Sequence, residues 1–155
     1  MKKRHRGGHL EGGLTIIGLM KTLLLLLFCL NCSASEISLS FKNLKSKTGL
    51  LQIALFDRAE GFPGDHSRAT PYTLDLSTDS EFLLKDITPG EYAIAVYHDE
   101  NSDFELNTGA LGIPKEGFGF SNNPRILFGA PKYKKVKFRL KENESKKMEI
   151  KLKHF

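Results

Sequence analysis

Apolar and polar residues alternate along most of the chain after residue 34. Ile37, Leu39 and Phe41 are separated by serines, and this period of two predicts a half-buried β-strand. Residues 50–56 are apolar at almost every position, which predicts a central strand covered on both faces. These patterns predict strands at residues 37–41, 50–56, 72–76, 81–85, 91–97, 133–140 and 148–152. We expect the first two strands to be neighbours, because only a short polar turn ending in Gly49 joins them.

The segments between the predicted strands decide the fold class. They are rich in Gly, Pro, Asn and Asp, and no stretch of the chain has a convincing amphipathic helical period. About seven short strands with such turns predict an all-β protein, namely a small antiparallel β-sandwich with a long loop after the fifth strand. A partly closed barrel is the alternative architecture.

Residues 1–34 have the layout of a secretory signal peptide, in which basic residues precede a short apolar core and then small residues. The segment MKTLLLLLFCLNCSAS is a complete signal by itself, so Met20 is an alternative start. A membrane anchor needs about 20 uninterrupted apolar residues, whereas residues 14–30 are fewer and are broken by Lys21. We therefore predict cleavage after Ala34, export to the periplasm or the extracellular space, and a single domain spanning residues 35–155.

Both cysteines, Cys29 and Cys32, lie within this predicted signal peptide. Residues 35–155 therefore can form no internal disulfide, which is compatible with a bacterial periplasm. Acylation of Cys32, as in a lipoprotein, is an alternative, although Asn31 is a poor match to the small residue that such a site prefers.

The formal net charge of +5 comes mostly from the predicted signal peptide. Five of the 23 Lys and Arg residues and one of the 18 acidic residues lie in residues 1–34, which leaves 18 bases against 17 acids. Such a balance argues against a nucleic-acid partner. The basic residues between 132 and 153 are interpreted as a solvated strand surface.

Oxygen-bearing side chains occur at every second residue directly after the fifth predicted strand. Because Ca²⁺ prefers six to eight oxygen ligands, Asp99, Asn101, Asp103 and Glu105 are candidate ligands of a calcium ion. The match to a calcium-binding loop is incomplete, since the sixth position is Phe104 where glycine is required. The alternative is a turn in which these side chains bond their own backbone.

His98 precedes this acidic run and suggests a catalytic alternative. A histidine beside Asp99 or Glu105 has the groups of a general base, as in a hydrolase or an isomerase. The sequence offers no Gly-x-Ser-x-Gly elbow for a nucleophile. We therefore also consider a structural histidine that is hydrogen-bonded at the base of the loop.

The segment GALGIPKEGFGFSNNP, residues 109–124, is the most distinctive part of the chain. Its glycines lack the Lys-Ser/Thr of a phosphate-binding loop. A loop of this length is either a binding loop or a self-packed Ω-loop. As a binding loop it would use Phe118, Phe120, Asn122 and Asn123 to contact a ligand.

The chain resembles a bacterial family of uncharacterised exported proteins, domain of unknown function 2141. The resemblance rests on four segments: ALFD with EGFP (residues 54–63), PGEYAIAVYHDEN (89–101), LGIPKEGFGFSNN (111–123) and FGAP (128–131). It implies an exported, β-rich single domain of immunoglobulin-like or prealbumin-like topology, and it implies no reaction. Members typically carry glycine where this chain has Phe104, which weakens a metal site inferred from the family.

These observations predict an exported binding or envelope-associated module with a recognition surface built from loops. The expected partner is a small molecule, a glycan or an envelope protein. A catalytic role of His98 and a purely structural envelope role are the alternatives. An apolar hollow at Phe118 and Phe120 would favour binding, whereas an exposed His98 within reach of a carboxylate would favour catalysis.

Overall fold

A computed structural model describes residues 35–77, 81–127 and 129–155, which form two β-sheets. The predicted signal peptide lies outside the described residues, as do Met20, Cys32 and Ala34. The strands are β1 (Ser35–Lys42), β2 (Leu50–Phe56), β3 (Thr70–Asp75), β4 (Glu81–Ile87), β5 (Gly90–Asp99), β6 (Phe118–Phe120), β7 (Phe138–Leu140) and β8 (Ser145–Lys151). Short 3-10 turns at His66–Arg68 and Ala110–Gly112 and one α-helical turn, α1 (Tyr133–Val136), complete the elements.

The two sheets confirm the prediction of an all-β sandwich. The three-stranded sheet has the order β4-β1-β8, in which β1 is antiparallel to β4 and parallel to β8. The five-stranded sheet has the order β3-β2-β5-β6, and β7 pairs with the first residues of β5. At one corner, Phe118 and Lys153 exchange backbone hydrogen bonds of 3.0 and 2.7 Å and thereby join the sheets. These bonds close the sandwich at this corner.

Two sequence-based expectations about the strands are wrong. β1 and β2 are not neighbours, because the segment between them crosses from one sheet to the other and both strands bury apolar side chains in the shared core. The predicted strand at residues 133–140 is divided into α1 and β7. The Lys137 N–H donates to the Tyr133 carbonyl at 2.9 Å, and this turn lets Val136 pack onto the five-stranded sheet.

The main core lies between the two sheets and follows the period of two. Ile37, Leu39, Leu51, Ile94 and Ile150 are fully buried there. Each such side chain contributes about 1.5–3 kcal/mol relative to an exposed one. This core therefore provides a rigid support for the opposite, outer face of the five-stranded sheet.

A second apolar cluster covers part of that outer face. Ala93, Tyr97, Phe118, Phe120, Ile126 and Val136 are buried in it, with Phe62 and Tyr133 packed against them. The ring of Phe62 lies 5.1 Å from that of Phe56, 5.9 Å from that of Phe120 and 5.7 Å from that of Tyr133, measured between centroids. The part of the outer face that this cluster leaves uncovered forms the candidate site.

Candidate functional site

A groove of about 400 Å³ lies on the outer face of the five-stranded sheet, between the segment after β2 and the acidic loop after β5. Ala54 of β2 and Ala95 of β5 are directly paired and form its floor. Because alanine side chains are short, this pair leaves a hollow between larger neighbours. We call this feature the outer groove.

Aromatic and apolar side chains form most of the walls of the outer groove. The lining residues other than the two alanines are Gln52, Ile53, Pro63, Gly64, His66, Ala69, Pro71, Tyr72, Val96, Tyr97, Phe104, Leu106, Phe118 and Phe120. This set contains no Lys, Arg, Asp or Glu. The outer groove is therefore suited to an apolar or aromatic body with a small number of polar contacts.

A second, larger cleft of about 590 Å³ lies beside β3 and the start of β5. Both of its arginines are already paired, since Arg58 Nε lies 2.7 Å from Asp57 Oδ1 and Arg68 Nε lies 3.6 Å from Asp65 Oδ2. It thus offers solvated ion pairs, whereas the outer groove offers apolar surface.

The four residues predicted to form a ligand-binding loop have divided roles. Phe118 and Phe120 belong to β6, where they pair with Tyr97 and Ala95 and line the outer groove. Asn122 and Asn123 line no part of it. The structure therefore places a hollow at the two phenylalanines and not at the two amides.

The Asn122 and Asn123 side chains bond to the backbone of neighbouring segments. Asn122 Nδ2 donates to the Lys137 carbonyl at 2.8 Å. Asn123 Nδ2 donates to the Glu149 carbonyl at 2.8 Å, and Asn123 Oδ1 accepts from the Lys151 N–H at 2.7 Å. The side-chain amide of Asn123 thus bonds to β8 as the backbone of a neighbouring strand would. Both residues have positive φ values, of 62° and 47°, which asparagine tolerates better than most residues.

The acidic run closes on itself as a hydrogen-bonded turn. Asp99 is fully buried, and its carboxylate accepts from the Asp103 N–H at 3.1 Å, the Phe104 N–H at 3.0 Å and Gln52 Nε2 at 3.3 Å. Asp103 accepts from the Glu105 N–H at 2.9 Å and from the side-chain amides of Asn101 and Asn107, at 2.8 and 2.9 Å. These bonds hold the pKa of Asp103 below its usual value, and the Asn107 amide has the largest effect.

This arrangement matches the backbone-bonded turn that was the alternative to a calcium site. The oxygens of Asp99 and Asp103 already receive N–H donors, whereas the Glu105 carboxylate is exposed. No group of three or more His, Asp or Glu side chains in the described residues is arranged to hold a metal ion.

Sequence reasoning missed Glu116 as part of this loop. It is only 5% exposed, and its two oxygens accept from the Glu100 N–H at 3.1 Å and the Asn107 N–H at 2.9 Å. Glu116 therefore ties the two ends of the acidic turn to the strand that follows. Its position between Lys115 and Gly117 carries no periodic signal that would have predicted burial.

His98 and Asp99 project to opposite faces of β5, as successive residues of a strand do. His98 is fully buried, and its Nε2 lies 2.8 Å from the Thr48 carbonyl, to which it donates as the Nε2–H tautomer. Asp99 lies on the other face, where it contacts Gln52. The two side chains therefore do not form a dyad, and His98 has the position expected for a structural histidine.

Tyr97 is the most buried titratable group that lines the outer groove, with 7% of its surface exposed. Its hydroxyl makes no hydrogen bond with any residue that the structure describes. Burial raises the pKa of Tyr97 to about 12, and the charges of Asp99, Glu116, Asp103 and Glu105 act in the same direction. The hydroxyl is thus a neutral, unpartnered group beside a hollow.

Phe104 is the most unusual wall residue. Its φ of 65° lies in the left-handed region, and its side chain is 65% exposed. A non-glycine residue there costs about 1–2 kcal/mol. Such strain at a wall residue is typical of positions retained for a function.

Fold and site together define a small β-sandwich with an apolar groove on the outer face of one sheet. The chain belongs to a family of uncharacterised proteins conserved in bacteria, domain of unknown function 2141, which it matches over residues 39–149. This confirms the resemblance seen in the sequence. No curated protein matches the chain. No solved structure matches it either. Within the described ranges, no helix is long and apolar enough to span a membrane.

Proposed function

We propose that this protein is an exported binding module whose outer groove takes a small ligand with an apolar or aromatic body. The observation that carries the proposal is the hollow over Ala54 and Ala95, walled by aromatic side chains. Its volume of about 400 Å³ lies within the range of about 300–1,000 Å³ that ligand pockets occupy. Export is supported by the signal-like residues 1–34.

Phe104 provides independent support for binding. Its ring is mostly exposed and lines the outer groove, so it is available to contact a ligand there, whereas Leu111, with a similar φ, lines no part of the groove. A wall that closes on a ligand gains apolar contact area that offsets the strain of the positive φ. The catalytic alternative, His98 with Asp99 or Glu105, has no comparable support, because His98 is fully buried with its Nε2 bonded to the Thr48 carbonyl.

The test uses Phe104→Gly with Leu111→Gly as its matched control. Both residues are exposed, lie in the same loop and have similar φ values of 65° and 62°, but only Phe104 lines the outer groove. Glycine relieves the left-handed strain at either position. We therefore expect both variants of residues 35–155 to keep the thermal stability of the parent protein or to exceed it.

Binding is measured with the neutral dye N-phenyl-1-naphthylamine, whose fluorescence rises in apolar surroundings. We expect Phe104→Gly to weaken dye binding about tenfold, roughly the effect of losing one aromatic contact surface, whereas Leu111→Gly leaves it unchanged. Absence of dye binding by the parent protein, or equal loss in both variants, would refute the outer groove as the binding site.

A further inference from the structure

Four carboxylates lie near one end of the outer groove without a cationic partner. They belong to Asp99, Asp103, Glu105 and Glu116. The Asp99 carboxylate accepts from Gln52 Nε2 and from the Phe104 N–H, which belong to two lining residues of the groove. Asp103 and Glu105 flank Phe104 in the chain, and Glu116 bonds to the two ends of the same loop. None of them forms an ion pair with a Lys, Arg or His residue in the described part of the chain. In this loop, the observed ion pair is the long one of 3.9 Å between Lys45 and Glu100.

Most of these carboxylate oxygens are not free to bind a metal directly. Those of Asp99, Asp103 and Glu116 accept hydrogen bonds from backbone or amide N–H groups. These hydrogen bonds occupy part of the acceptor capacity of each carboxylate and leave its negative charge in place. The end of the groove near Tyr97 therefore has a negative potential, which acts over several ångströms when the site is partly buried.

The Tyr97 hydroxyl lies at the end of the groove where this potential would act on a bound ligand. The Tyr97 residue is more than nine-tenths buried and lines the outer groove, and its hydroxyl has no hydrogen-bond partner among the described residues. Its oxygen is available to accept from an N–H group. The faces of aromatic rings, such as those of Phe104 and Phe118, attract cations as well.

We propose that the outer groove selects an organic cation, an amine bound to an apolar or aromatic body, whose ammonium group lies at the Tyr97 end. This rests on the proposed binding function and adds the charge of the ligand to it. An anionic ligand is disfavoured because the carboxylates repel it and the groove lining supplies no Lys or Arg. A bulky ammonium fits better than a metal ion, which requires free oxygen ligands.

The test compares three molecules of similar size at neutral pH, namely benzylamine as its cation, neutral benzyl alcohol and anionic benzoate. Each is titrated against the groove-bound dye at low and high NaCl. We expect the benzylammonium ion to bind roughly tenfold more tightly than benzyl alcohol at low salt and benzoate to bind most weakly. The advantage of the cation should shrink at high salt because the field is screened.

Two charge-neutralising variants locate the effect. The Glu105 carboxylate accepts no hydrogen bond from the described residues, so Glu105→Gln removes charge beside the groove without breaking the turn. Glu142→Gln makes the same change in net charge at an exposed position away from the outer groove. We expect only Glu105→Gln to reduce the preference for benzylammonium, by about threefold, with benzyl alcohol binding unchanged.

The outcomes separate the two proposals. Equal binding of benzylammonium and benzyl alcohol would overturn the charge preference and leave the groove as a neutral apolar site. Failure of both to displace the dye would overturn both proposals. Displacement of benzylammonium by CaCl₂ at an ionic strength where NaCl has no effect would assign the negative end to an inorganic cation instead.

Discussion

Glu116 is predicted to hold the acidic loop closed, and Glu116→Gln tests this. Its carboxylate accepts from two backbone N–H groups, those of Glu100 and Asn107, at 3.1 and 2.9 Å. Glutamine keeps one acceptor oxygen, but its NH₂ group faces the second N–H, so one bond is lost and two donors oppose each other.

The expected magnitude follows from the burial of these groups. A hydrogen bond to a charged group contributes about 1.5–3 kcal/mol. The Glu100 and Asn107 backbones are partly accessible, so water replaces some of the lost interaction. We therefore expect loop closure to weaken by about 2 kcal/mol, which corresponds to roughly 30-fold faster amide exchange under conditions where the loop opens and closes rapidly compared with exchange.

Hydrogen–deuterium exchange followed by NMR measures this effect at single amides. The Glu100 and Asn107 amides should lose protection, while amides in β2 and β5 keep theirs, because the loop opens locally. Glu105→Gln is the matched control, since it makes the same chemical change in the same loop without losing a hydrogen bond. Unchanged protection in Glu116→Gln, or an equal loss in both variants, would refute the role assigned to Glu116.

Two further predictions concern the surroundings of the outer groove. Gly49→Ala should destabilise the fold by about 2–4 kcal/mol in chemical denaturation, because φ is 84° and a Cβ would lie 2.5 Å from the Asp99 carbonyl oxygen. Gly64→Ala is the control and should be nearly neutral, since the space around Gly64 is open. Equal destabilisation by the two substitutions would contradict this prediction. Tyr97 should ionise near pH 12 in an ultraviolet absorbance titration. Because the pKa of Tyr97 is raised in the folded state, the stability that this group contributes is complete below about pH 10 and is lost as the pH rises toward 12. A Tyr97→Phe variant that still shows an absorbance change near pH 12 would contradict the assignment.

The sequence predicted the strands better than their arrangement. The period of two identified β1, β3, β4 and β8, since apolar alternation reports directly on which face is buried, and continuous apolar runs identified β2 and β5. It carries no information about which sheet a strand joins, and β1 and β2 were therefore wrongly expected to be neighbours. At residues 133–136 the alternation is compatible with a strand, but tertiary packing of Val136 favours a helical turn.

The candidate site was predicted only in its aromatic part. Phe118 and Phe120 were identified because large rings beside glycines stand out in the sequence. The floor of the groove was not predicted, since Ala54 and Ala95 are distant in sequence and form a hollow together only when β2 and β5 pair. Gly119 allows β6 to lie close to β8, where a Cβ would come within 2.7 Å of Ile150 Cγ2, and this constraint too depends on three-dimensional contacts.

The acidic run shows why residue types alone do not define a metal site. Asp99, Asn101 and Asp103 have the chemistry of calcium ligands, yet their oxygens and amides form hydrogen bonds inside the loop. These hydrogen bonds close the loop, and its carboxylates keep their negative charge beside the apolar hollow. Phe104 belongs to the same turn and has a positive φ, and its exposed ring lies in the same loop as these carboxylates. The calcium-like spacing thus places backbone-bonded carboxylates and an exposed aromatic ring in one loop, and our proposal that the outer groove binds an organic cation rests on this arrangement.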